Sequence, residues 1–65
     1  MNIGNNIKKL RKQKNLTQAH LAEIIGVSYQ AVSKWENNRG YPDIQLLPQI
    51  ASVFGVSIDM LFISI

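Results

Sequence analysis

The sequence predicts an all-α fold, a compact domain of five short helices, on three observations. Apolar residues recur at helical spacing along nearly the whole chain. No stretch alternates apolar and polar residues for long enough to make a strand. Ser, Thr or Asp stands ahead of most of the helical stretches, and Gly or Asn follows several of them. With no linker and no repeat, residues 1–65 read as a single domain. A chain of this length buries only about 60% of its unfolded surface, so its packing has to be good.

The first helix is expected over roughly residues 3–14. Ile3, Ile7 and Leu10 form its apolar stripe, and its basic residues point outward. Thr17 is a good N-cap for a second helix that runs to about Ile25. Its apolar residues, Leu21, Ile24 and Ile25, are expected to pack on one side with Val27, Val32 and Trp35. Gly26 follows as the terminating residue, where a left-handed backbone favours glycine. Ser28 then caps a third helix ending near Asn37 or Asn38. The segment "NNRGYPD" is turn chemistry throughout. Asp43 could cap a fourth helix ending at Gly55, with its regular part starting near Leu46 or Leu47 because of Pro48. Ser57 is expected to cap a fifth helix carrying Ile58, Leu61 and Phe62.

Composition excludes several classes. There is no cysteine, so neither a disulfide nor a thiolate site is available, and His20 is the sole histidine. No metal site, cofactor or catalytic constellation is expected: paired carboxylates in context, a glycine-rich phosphate loop and a nucleophile with its base are all missing. The chain does not read as an enzyme. It carries no run of apolar residues long enough for a signal peptide or a membrane span, so a cytoplasmic protein is expected. Seven Lys and Arg against four Asp and Glu give a net charge of +3. Five of the seven cations, Lys8, Lys9, Arg11, Lys12 and Lys14, share one seven-residue window. Such clustering suits either a polyanion binder or the solvated face of an amphipathic helix.

Residues 18–37 carry the informative pattern. One helix ends at a glycine, three residues pass, and the next begins, which holds two helices at a steep angle in a helix-turn-helix. Ala22 supplies the small residue where the helices approach, and Gly26 the positive φ of the turn. Leu21, Ile25, Val27, Val32 and Trp35 supply the apolar anchors. With Val32 and Trp35 inward, Tyr29, Gln30, Ser33 and Lys34 project from the opposite side.

The stretch "LTQAHLAEIIGVSYQAVSKWENN" resembles the motif of the phage repressor and Cro-type helix-turn-helix regulators, the XRE family, and "IASVFGVSIDMLF" resembles the last two helices of their five-helix domain. The resemblance implies a dimeric, sequence-specific DNA-binding regulator, a repressor that occludes a promoter, with its third helix in the major groove of a palindromic operator. Ser28, Tyr29, Gln30 and Lys34 match base-reading positions, and Ser33 is a plausible addition. Gln30 can bond an adenine edge and Lys34 can donate to guanine. Thr17 and Gln18 open the second helix, where backbone N–H groups suit a phosphate. Asn37, Asn38, Arg39 and Tyr41 match a second phosphate-contacting region, although ordinary turn composition would look the same. In several family members an arginine of helix one pairs with the glutamate ending helix three. Arg11 and Glu36 match that pair, which would leave Arg11 near a phosphate.

The sequence departs from the family in two places. His20 stands where glutamate often closes a capping box with Thr17, and reads as an exposed helix residue. Asn38 stands where glycine is frequent, and tolerates the left-handed conformation. Two further readings stay open. Domains of this family also serve as antitoxins or protein-interaction modules, with a protein partner beside or instead of DNA. The apolar terminus "MLFISI" is either core packing by Leu61 and Phe62 with Ile63 and Ile65 loose, or a homodimer seam formed by Ile58, Met60 and Ile63. No stretch reads as a small-molecule effector site.

Overall fold

A computed structural model of the chain describes residues 3–63. Four α-helices follow one another: α1 (Ile3–Gln13), α2 (Gln18–Ile25), α3 (Tyr29–Glu36) and α4 (Leu47–Phe54). Short 3₁₀ turns cover Ile44–Leu46 and Ile58–Leu61. Ile65 lies outside the described residues.

The all-α expectation holds, but the fifth helix is a single 3₁₀ turn. Its bonds run from Met60 N to Ser57 O at 3.1 Å and from Phe62 N to Asp59 O at 3.0 Å. Ser57 precedes it without a side-chain capping bond. The turn tightens because Leu61, fully buried, must reach the core within four residues. Its last carbonyls are also taken by a side chain of α1, described below. The start of α4 at Leu47 is where Pro48 led it to be expected, and only its cap differs. Asp43 caps the 3₁₀ turn, accepting from Gln45 N at 3.0 Å, whereas α4 itself has no side-chain cap and carries Pro48 in its first turn.

All four α-helices stop in one way. A residue in the left-handed region ends each, and the amide after it reaches back five residues. The bonds are Leu16 N to Arg11 O, Val27 N to Ala22 O, Arg39 N to Lys34 O, and Val56 N to Ala51 O, between 2.9 and 3.0 Å. The left-handed residues are Asn15, Gly26, Asn38 and Gly55. Helix length is therefore set locally, by a Gly or Asn at each stop.

The core takes Ile3, Ile7 and Leu10 from α1, Leu21, Ala22 and Ile25 from α2, and Val32 and Trp35 from α3. Leu47, Ile50, Ala51 and Phe54 of α4 and Leu61 complete it. Ile24 is not part of it. At 47% exposed it sits off the Leu21–Ala22–Ile25 stripe, contrary to the expectation that all the apolar residues of α2 pack together. Among the described residues, no helix is long and apolar enough to cross a membrane.

Candidate nucleic-acid interface

The interface begins at the turn between α2 and α3. Gly26 has φ +84°, and its amide and that of Val27 both donate to Ala22 O. Val27 is half-buried against the core, so only Gly26 and Ser28 face solvent in the connection. Ser28 caps α3, its Oγ accepting from Ala31 N at 3.1 Å. That bond uses an acceptor lone pair and leaves the hydroxyl hydrogen free to donate outward. Thr17 caps α2 in the same manner through His20 N at 3.0 Å.

Helix α3 is divided lengthwise. Val32 is fully buried and Trp35 is 5% exposed, and with Glu36 they fasten the helix to the core. Tyr29, Gln30 and Lys34 are exposed and Ser33 is half-exposed. At about 100° per residue these four occupy one arc of about 140°. Two donors, a hydroxyl and a phenol thus share one outward face, with no apolar residue between them. The Asn37 amide donates back to Ser33 O at 2.9 Å and approaches Ser33 Oγ at 3.4 Å, which ties the end of the helix to that face.

Behind the face, α3 is anchored to α1 at two points. One is ionic. Arg11 Nε donates to Glu36 Oε2 at 2.7 Å and Nη2 to Glu36 Oε1 at 2.9 Å, while Nη1 donates to Leu16 O at 2.8 Å. Gln18 Nε2, from the start of α2, donates to the same carboxylate at 3.0 Å. Burial is the largest single influence on Glu36 and opposes its charge. The bonds from Arg11 and Gln18, with the positive charges of Arg11 and Lys8, together outweigh it and hold the carboxyl below its ordinary value near 4.5. The bond to Glu36 raises Arg11 above its ordinary range, against the effect of burial.

The second anchor is steric. A Cβ on Gly4 would lie 2.0 Å from Trp35 O and 3.0 Å from Asn38 Oδ1, so α1 touches the end of α3 only because Gly4 has no side chain. Asn38 has φ +59°, the left-handed conformation expected of it.

The sequence-predicted residues therefore fall into distinct groups. Tyr29, Gln30, Ser33 and Lys34 share the face, with Ser28 at its start. Arg11, Gln18 and Glu36 meet in one cluster, which brings the start of α2 beside the end of α3. Arg11 does not point outward with its basic neighbours: its side chain is 10% exposed and its guanidinium bonds inward. Asn37, Asn38 and Arg39 continue from α3 and are exposed, as is Tyr41. Ile58 and Ile63 are exposed and Met60 half-buried; Ile58 and Met60 lie on the C-terminal turn and Ile63 just after it, away from α3 in sequence. Sequence reasoning missed Gly4 and Asn6. Gly4 left no signal, whereas Asn6 did, as a polar residue within the Ile3–Ile7–Leu10 stripe.

A helix-turn-helix family model matches residues 7–61. The chain is 46% identical over 61 residues to the HTH-type transcriptional activator BcrR of Enterococcus faecalis, covering 94% of this chain and 30% of that protein. The first curated relatives it matches are longer, and the chain spans between 30% and 55% of their lengths. Its backbone superposes on the biofilm master regulator SinR in complex with DNA at a TM-score of 0.85, with 37% identity, over 94% of this chain and 98% of that one. It superposes equally well, at 0.85 with 32% identity, on the P22 c2 repressor bound to a synthetic operator, over 91% of this chain and 89% of that one. The motif on α2 and α3, the matched family model and these likenesses agree: the chain belongs to the phage repressor and Cro-type helix-turn-helix (XRE) family of DNA-binding transcription regulators.

Proposed function

We propose that this chain reads a palindromic operator as a homodimer, with α3 in the major groove, and represses transcription in the cytoplasm by occluding a promoter. The observation that carries this reading is the outward arc of Tyr29, Gln30, Ser33 and Lys34 on a helix fastened from behind. An α-helix fits the major groove, where each base pair shows a distinct donor and acceptor pattern. Gln30 pairs with an adenine edge and Lys34 with guanine O6 and N7. Tyr29 lies on a thymine methyl, and the free hydroxyl hydrogens of Ser28 and Ser33 donate to base acceptors or a phosphate.

Thr17, Gln18, Asn37, Asn38, Arg39 and Tyr41 flank that face and set its register on the phosphates, which carry little sequence information. Gln18 spends one amide hydrogen on Glu36 and keeps the other for a phosphate. The internal bonds of Arg11 suit it to holding α3 in place more than to direct contact. Ile58, Met60 and Ile63 form the seam between two copies, setting the recognition helices about 34 Å apart, one duplex turn.

Selection of bound duplexes from a random DNA pool tests this. The expected result is a two-fold symmetric consensus with half-sites one turn apart. A pool that stays random, or one enriched in single unpaired sites, would overturn it.

A further inference from the structure

The inward stripe of α1 contains a polar side chain with a distant partner. Asn6 is 1% exposed, in line with Ile3, Ile7 and Leu10. Its Nδ2 donates to Leu61 O at 2.9 Å, approaches Met60 O at 3.4 Å and bonds Ile63 O. The Met60 and Leu61 carbonyls end the C-terminal 3₁₀ turn, where the turn itself offers no donor, and that of Ile63 follows it. A core that needed only volume here could use leucine. A buried amide is costly unless fully bonded, so its bonds specify the path of the chain facing it.

That chain is the proposed seam. Leu61 is fully buried, while Ile58 is 39% and Ile63 50% exposed, with Met60 half-buried between them. Asn6 thus pins the backbone carbonyls on either side of Leu61, and so decides which apolar side chains enter the core and which face out. The turn itself carries no Lys or Arg and a single charge, Asp59, so it brings no cation of its own to a second copy. We infer that Asn6 is the positioning residue of the dimer seam. It holds the C-terminal turn in the one register that presents Ile58, Met60 and Ile63 to a second copy of this chain. The inference rests on the homodimer reading above.

The test uses the full chain and three variants, Asn6→Leu, Asn6→Gln and Asn6→Ala. Asn6→Leu keeps the branched shape, in a somewhat larger side chain, and removes the donor; Asn6→Gln keeps the amide on a longer stem. Dimer dissociation is measured by sedimentation, and DNA contact by affinity for a duplex carrying a single half-site. Asn6→Leu is expected to weaken self-association by about tenfold or more while half-site affinity stays within about twofold. Self-association within about twofold of the wild type would overturn the inference, as would parallel losses of self-association and half-site affinity, which mark a general core defect. Should Asn6→Leu not fold, Asn6→Gln and Asn6→Ala decide. Weaker dimers from Asn6→Ala than from Asn6→Gln support the inference, and the reverse order overturns it. A monomeric wild type would sink the homodimer reading and the inference together, whereas a wild type and Asn6→Leu that dimerise alike would sink the inference alone.

Discussion

Arg11 and Glu36, twenty-five residues apart, meet through two parallel bonds of 2.7 and 2.9 Å, and the carboxylate that receives them also accepts the Gln18 amide. One buried charge pair thus joins α1, the start of α2 and the end of α3. Replacing a buried pair by apolar residues of similar volume is often neutral, but removing one partner strands a charge. Glu36→Ala should therefore cost about 3–5 kcal/mol, and Arg11→Met combined with Glu36→Leu much less. Urea unfolding of the two variants checks this, and a double variant weaker than Glu36→Ala would contradict it.

The same pair predicts the response to acid. Glu36 is held below its unfolded value near 4.5, so the folded state gains from its ionised form. That gain is complete above about pH 5 and is lost as pH falls through the lower, folded value. The stability difference between wild type and Glu36→Gln should accordingly be widest near neutrality and close on acidification. Thermal midpoints followed from neutral to acidic pH measure it; a gap that widens in acid would refute the assignment.

Three glycines should respond differently to alanine. At Gly4 the new Cβ would clash with Trp35 O, main-chain oxygen that can move only if α1 moves. A loss of about 1–3 kcal/mol is expected despite the better helix propensity of alanine. At Gly26 the space is open but φ is +84°, so the cost is conformational, about 1–2 kcal/mol. Gly40 has open space and no positive φ, and its substitution should stay within about 0.5 kcal/mol. Denaturant midpoints rank the three.

Base reading and phosphate contact separate on DNA. Gln30→Ala or Lys34→Ala should lose about 1–3 kcal/mol on the selected operator and relax preference at one base pair per half-site. Arg39→Ala should weaken binding to all duplexes and reduce the slope of affinity against salt by about one. Equal losses on operator and random DNA for Gln30→Ala would refute its base-reading role. An unchanged salt slope would refute the phosphate role of Arg39.

The sequence by itself determined what depends on neighbours along the chain. The stops at Gly26, Asn38 and Gly55, the caps at Thr17 and Ser28, and the division of α3 into an apolar edge and a polar one follow from φ preferences, side-chain reach and the helical period. The match to a known family added the Arg11–Glu36 pair, which spacing alone does not reveal. Tertiary structure decided the rest, because those relationships join positions that no local period connects. Gly4 matters only through Trp35 O, Asn6 only through carbonyls more than fifty residues away, and the last helix became a 3₁₀ turn because Leu61 had to reach a core built by the other elements. Local rules choose where a helix starts and stops. Close packing decides which backbone atoms it must touch.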